Sequence, residues 1–200
     1  MRKLPVQITL GVLCFTVACS PRDFLTRRLA GELIAASDGF KATQRLWLRT
    51  GVISNKDYLS PQYLVLQRHG WIAGTNTGCP PEVTPPPCWD VVLSPLGVET
   101  FHNLLQNNAA PSSYFSVPAA RRQLVAVTGI VKDGQDAEAD FLWKWVPLND
   151  VGVALYGEDV QYRAAVAFRH YDDGWRLVES DQHERYPSMD DALKDSEAAR

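Results

Sequence analysis

The hydrophobic pattern of the chain begins with a short apolar run behind a basic start. Residues 1–3 carry two positive charges, and the fourteen residues from Leu4 to Val17 are mostly apolar. Fourteen residues extend about 21 Å as a helix, which is less than the roughly 30 Å of a bilayer core. This pattern is typical of a secretory signal, so we expect residues 1–18 to be removed on export.

Residues 19–106 show apolar positions mainly at helical spacing. Ser20-Pro21 is typical of a helix start, and the stripe of leucines from Leu25 to Leu33 predicts a first helix behind it. Three further helices are predicted in this half, at 44–49, 61–69 and 95–105. The first half of the mature chain is therefore expected to be mostly α-helical.

Residues 120–180 alternate between apolar and polar positions instead. The alternation places Trp143 and Trp145 on an apolar face, and Lys144 and Arg169 on the opposite, wetter face. A slip of one residue would turn the apolar face to solvent, so the register is strongly specified. We predict four strands in an antiparallel meander, at 124–131, 139–145, 160–168 and 175–178.

Two segments show neither the helical spacing nor the strand alternation of apolar residues. Residues 107–119 are rich in Asn, Pro and Ser and are expected to be a linker. Residues 181–200 form a polar, acidic tail that we expect to be loosely ordered, although Ser188 could begin a short helix that runs through Leu193. The predicted fold class is α+β, with a helical first half and a four-stranded sheet in the second half.

Both halves resemble known folds in the order of their elements. The first half, over 24–105, resembles a winged-helix domain, because His69–Ile72 leads from a helix into a hairpin whose return strand, 89–93, runs into Ser94-Pro95 and a last helix. The meander over 120–180 is similar in topology to the cone-shaped NTF2-like folds, in which a helix fills the concave side. These likenesses imply a fold and leave the function open.

The end of the apolar run resembles the lipobox of bacterial lipoproteins. The matching residues are Thr16-Val17-Ala18-Cys19. In that family, a signal peptidase cuts before a cysteine that carries diacylglycerol. The resemblance implies that Cys19 is lipidated and that the mature chain is anchored to a membrane, facing the periplasm or the cell surface. The alternative is ordinary signal cleavage nearby, which would leave Cys19 as a plain thiol.

Two further cysteines flank a proline-rich loop. Cys79 and Cys88 enclose eight residues, five of which are proline, whereas Cys14 leaves with the signal. In an oxidising compartment the two should form a disulfide that closes the predicted hairpin. The chain-entropy model gives about 2.7 kcal/mol for such a loop, and the stiff prolines reduce this gain. Zinc binding is the alternative, but it needs two more ligands, and no nearby Cys or His supplies them.

The charge balance argues against nucleic acid as a partner. The chain has 20 Lys and Arg against 23 Asp and Glu. Removal of the signal leaves 18 basic side chains and a net charge of −5. A mildly acidic protein is not attracted to phosphate backbones or to anionic head groups.

No catalytic or metal-binding motif stands out. His170, Asp172 and Asp173 form the tightest group, but Asp-Asp-Gly is ordinary hairpin chemistry, and a metal would need a further ligand. His69 and His102 lie near predicted helix ends. Nucleophile-elbow, zinc-protease and phosphate-loop motifs are absent, so we assign no catalytic residue, metal or cofactor.

An aromatic group on the predicted sheet is the candidate for a ligand cleft. Core packing is the favoured interpretation, because large aromatic side chains dominate protein cores, but the mouth of a cone-shaped sheet is where a pocket is expected. The group consists of Trp143, Trp145, Tyr162 and Trp175.

The sequence therefore favours a lipid-anchored envelope protein that binds another protein or an apolar small molecule without catalysis. A small periplasmic hydrolase is the alternative. It would require Ser, His and Asp side chains that assemble in space, within hydrogen-bonding distance of one another.

Overall fold

The structure, a computed structural model, describes residues 24–81, 86–105, 114–178 and 187–199. In the first half, the elements are α1 (Arg27–Ala36), α2 (Asp38–Lys41), β1 (Gln44–Arg49), β2 (Gly51–Ser54), α3 (Asn55–Tyr58), α4 (Pro61–Arg68), β3 (Ile72–Thr77), β4 (Cys88–Leu93) and α5 (Pro95–Leu105). They continue with β5 (Tyr114–Asp133), β6 (Asp136–Pro147), α6 (Asp150–Tyr156), β7 (Gln161–Tyr171), β8 (Gly174–Leu177) and α7 (Met189–Ala198). Among the helices of these residues, none has the length and hydrophobicity needed to cross a bilayer.

The predicted α+β class is confirmed, but the main sheet has five strands rather than four. Its order is β1-β5-β6-β7-β8, and its neighbouring strands are antiparallel. The meander from β5 to β8 matches the prediction, and β1 adds to its edge. The segment Gln44–Arg49 was expected to be helical and is a strand, because Leu46 and Leu48 point into the core while Arg45 and Trp47 point out.

The register of the meander follows the predicted alternation. Trp143 lies opposite Tyr162 and Phe141 opposite Ala164, so these side chains share one face of the sheet. That face is covered by α1, α2 and α7 and forms one hydrophobic core. Lys144 lies on the other face, where its amine pairs with the Asp159 carboxylate at 2.8 Å.

A second core lies around a three-stranded sheet of order β2-β4-β3. Helices α3, α4 and α5 contribute Tyr58, Leu66 and Phe101 to it, and the start of β5 contributes Val117. The chain leaves β1 and enters β2 of this sheet at Gly51, whose φ of 83° is a conformation that favours glycine. One run of chain therefore serves both sheets.

Two predicted boundaries differ from those observed. The first helix begins at Arg27, because the Thr26 side chain accepts a hydrogen bond from the Leu29 N–H, while Ser20-Pro21 lies outside the described residues. The predicted linker 107–119 overlaps the start of β5 at Tyr114, where pairing with β1 makes it a strand.

The tail that we expected to be loosely ordered contains α7. Ser188 caps this helix by accepting from the Asp191 N–H, and the helix runs to Ala198, past Leu193. Leu193 is fully buried and Ala192 nearly so, in the core of the main sheet. The burial of these two apolar side chains explains why a mostly polar segment is ordered.

The predicted disulfide is confirmed. Cys79 and Cys88 are bonded, with 5.2 Å between their Cα atoms. Cys88 pairs with Thr77 in the ladder between β3 and β4, so the bridge closes the end of this hairpin.

Candidate functional site

A cleft of about 460 Å³ opens between α4, α6 and one end of the helix-covered sheet face. Val65 and Arg68 of α4 line one part of it, and residues 153–158 line another. Trp145 of β6 and Tyr162 of β7 complete the lining from the sheet. Two of the four aromatic residues expected at a ligand site therefore lie in a cleft.

The position of α6 against β5 shapes this cleft. Asn149 begins the helix by accepting from the Gly152 N–H, and its amide donates to the Pro118 carbonyl at 2.6 Å. Gly152 lies so close to β5 that a Cβ there would be 1.9 Å from the Ala119 carbonyl oxygen. Only glycine permits this approach, which holds the α6 side of the cleft near the sheet.

Aromatic rings run from the core into the cleft. Tyr162 stacks on Trp143 with ring centres 4.6 Å apart, and Trp145 meets Trp143 edge-on at 5.1 Å. Tyr156 of α6 lies 5.3 Å from Trp145. Such contacts fix the ring orientations, so the aromatic lining of the cleft is preformed.

The cleft also has charged and hydrogen-bonding groups in its lining. Arg68 and Glu158 contribute a positive and a negative side chain to the lining. Tyr156 is half-buried, and desolvation raises the pKa of its phenol, which also bonds to Gln44 and lies near Glu197. The phenol therefore stays neutral at physiological pH and can donate or accept a hydrogen bond.

A charged pair lies behind the aromatic rings. The Arg122 guanidinium is 4.7 Å from the Trp145 ring centre, and it donates to the Gly39 carbonyl at 2.6 Å. Within the described residues, its Nε atom has no hydrogen-bond partner. Burial lowers the pKa of Arg122 and raises the pKa of Glu197, and each charge partly offsets the effect on the other. Neither residue carries a signal in the sequence, because α7 and β5 meet only in the fold.

The remaining predicted residues lie elsewhere. Trp143 is fully buried, and its indole N–H donates to the Ser196 hydroxyl at 3.2 Å. Trp175 packs against His170, with ring centres 5.1 Å apart, and is also in the core. Cys19 lies outside the described residues.

Two histidines of the described ranges, His69 and His170, have aromatic neighbours. His69 stacks on Trp71 at 4.7 Å, and His170 contacts Trp175. Asp173 pairs with Arg176 beside the turn. No three His, Cys, Asp or Glu side chains in the described part of the chain lie close enough together to hold a metal ion.

The described residues of the cleft thus offer aliphatic and aromatic surface, two tyrosine side chains, and a charge of each sign. Comparison of the chain with protein families, with curated proteins and with solved structures gives no match from which a function could be transferred.

Proposed function

We propose that this protein is an exported, lipid-anchored binding protein, and that its cleft holds an apolar small molecule. The observation that carries the proposal is the preformed cleft beside Trp145 and Tyr162. Its volume of about 460 Å³ falls within the range of roughly 300–1,000 Å³ that is typical of small-molecule sites. The lining combines aromatic and aliphatic side chains with polar groups that can orient a ligand.

The lining favours a ligand with an extended apolar or ring-shaped body. Trp145, Tyr156 and Tyr162 offer aromatic surface for it, and Val65 and Val153 offer aliphatic surface. The neutral Tyr156 phenol provides a group that can orient one polar atom of the ligand. We infer binding without catalysis, because the described residues that line the cleft include no nucleophile paired with a base.

The test is titration with a neutral fluorescent probe, N-phenylnaphthylamine, which brightens in apolar surroundings. Val153→Glu places a charge in the cleft and should weaken binding at least tenfold. Val98→Glu is the matched control, because Val153 and Val98 are helical valines that are 57% and 52% exposed. Equal binding by both variants, or no binding by the unmodified protein, would refute the proposed site.

The lipid anchor is a separate part of the proposal. It rests on the basic start, the short apolar run and Ala18-Cys19. Mass spectrometry of the mature N-terminus should find a diacylglyceryl cysteine, and Cys19→Ala should release the protein from membranes, since each buried methylene contributes about 0.8 kcal/mol. A mature protein that begins elsewhere and carries no lipid would contradict it.

A further inference from the structure

The outer edge of β1 has backbone groups that the sheet does not use. In an antiparallel pair, residues alternately bond to the partner strand and point away from it. The Arg49 N–H donates to the Tyr63 hydroxyl, which in turn donates to the Arg49 carbonyl, each at 2.8 Å. Arg49 therefore points away from β5. By the same alternation, the N–H and C=O groups of Arg45 and Trp47 also face the free edge.

The opposite residue on β5 supports this assignment. Arg45 lies opposite Pro118, which has no N–H to give to the ladder. Tyr63 closes the edge at Arg49, so two residues with four backbone groups remain for a further strand. Of the described strands, only β5 pairs with β1.

The side chains on this edge add an exposed aromatic ring between two cations. Trp47 is 65% exposed, whereas tryptophan side chains are on average highly buried. Arg45 and Arg49 lie on the same face, two residues to either side. Arg45 is held by hydrogen bonds to the Ser116 hydroxyl and carbonyl, at 2.6 and 2.9 Å. The Arg49 guanidinium lies 5.4 Å from the centre of the Tyr114 ring.

Neither arginine forms an ion pair with an acid in the described ranges. Arg163, Arg169 and Arg176, on the far strands of the same sheet, each pair with an aspartate. The β1 edge is thus a place where the outer face of the sheet keeps uncompensated positive charge. Asp57 lies near Tyr63, but its carboxylate accepts a hydrogen bond from Ser54 at 2.8 Å.

We propose that β1 binds an extended acidic segment of another protein, which joins the main sheet as a sixth strand. Backbone hydrogen bonds to Arg45 and Trp47 would hold the segment, and its side chains would contact the face that carries Trp47 and the two arginines. An acid–x–apolar–x–acid pattern places an apolar residue over Trp47 and acids opposite the two arginines. This site is remote in sequence from the cleft lining, and it stands or fails independently of the proposed ligand.

A second copy of this chain fits the edge poorly. Two-fold pairing centred on Trp47 would place Arg45 of one copy directly opposite Arg49 of the other. Like charges that face each other across a strand pair are destabilising. The charge pattern therefore favours an acidic partner over self-association.

The first experiment tests the free edge in the absence of a partner. Hydrogen exchange measured by NMR should show fast exchange for the Arg45 and Trp47 amides, and slow exchange for Leu46, Leu48 and Arg49. Slow exchange at Trp47 in the monomer would overturn the proposal, because that amide would already be bonded.

The second experiment measures binding of the labelled peptide Thr-Glu-Thr-Val-Thr-Glu-Thr by fluorescence anisotropy. The Arg45→Glu and Arg49→Glu double variant should bind at least tenfold more weakly, and binding should weaken with added salt. Arg176→Glu, on the exposed opposite edge strand, is the matched control and should leave affinity within twofold. Both variants should keep the melting temperature of the parent within a few degrees.

Two control peptides separate backbone pairing from charge attraction. A peptide with Lys in place of Glu should not bind, and N-methylation of alternate amides should abolish binding of the acidic peptide. On binding, the Trp47 amide should become protected from exchange. The proposal is overturned if the Lys peptide binds equally, if the Trp47 amide stays unprotected, or if sedimentation shows that the chain dimerises through this edge.

Discussion

Trp143 and Trp145 point from the same face of β6, two residues apart, but they have different surroundings. Trp143 is fully buried beneath the helix-covered face and donates to Ser196 of α7. Trp145 is 6% exposed and lines the cleft beside Tyr156. Both rings belong to the same hydrophobic core, and the covering helices leave only Trp145 at the edge of the cleft, where it can meet a ligand.

The largest expected effect comes from removing each tryptophan ring in turn and comparing the losses of stability. Trp143→Ala should lower the free energy of unfolding by about 3–5 kcal/mol, because it leaves a large cavity in a closed core. Trp145→Ala should lower it by less, since water can enter from the cleft. Urea unfolding followed by circular dichroism measures both. Equal losses would mean that the cleft end of the face is as closed as the core.

A smaller loss of stability is expected from a substitution that pushes α6 away from β5. Gly152→Ala places a methyl group against the Ala119 carbonyl and should lower stability by about 1–3 kcal/mol, as overpacking does, while it weakens probe binding. Gly78→Ala is the matched control, because a Cβ there meets nothing within 4 Å. If Gly152→Ala behaved like its control in thermal melting, α6 would not be fixed by this contact.

The smallest expected effect is on the pH dependence of stability, and it comes from Glu197 beside Arg122. Burial raises the pKa of Glu197 above its ordinary value of 4.5, although Arg122 opposes this shift. The folded state then holds the proton more tightly, so stability falls as pH rises from about 4.5 through the folded-state pKa. One proton limits the slope to about 1.4 kcal/mol per pH unit.

Glu197→Gln should flatten this slope, whereas Glu99→Gln, on α5, should leave it unchanged. Unfolding free energies measured between pH 4 and pH 8 test both variants. A slope that survives in Glu197→Gln would assign the pH dependence to another group.

The sheet of the second half could be predicted well, because alternation over long strands fixes which side chains face the core. That Trp143 and Tyr162 share one face, and that Lys144 lies on the other, followed from the alternation alone. The β1 segment was mispredicted as a helix although Leu46 and Leu48 alternate with polar or exposed neighbours. A run of six residues fits either period, and only pairing with β5 decides between them.

The cleft could be predicted only in part. Trp145 and Tyr162 carry a signal in their type and spacing, whereas Val65, Arg68 and α6 reach the cleft through tertiary packing. The Arg122–Glu197 pair was missed for the same reason. A charged residue in a strand is ordinarily solvated, and nothing near Arg122 in the sequence shows that α7 covers it.

The long-range pairing of β1 has a consequence for how the chain folds. Arg45 and Ser116, which bond across the β1–β5 pair, are 71 residues apart. Neither core can be completed until β5 has been made, since that strand supplies side chains to both. Such distant pairing slows folding, and meanwhile the Leu-Trp-Leu run of β1 lies open to non-native pairing. Until β5 covers it, β1 is therefore also a segment through which the newly made chain can aggregate.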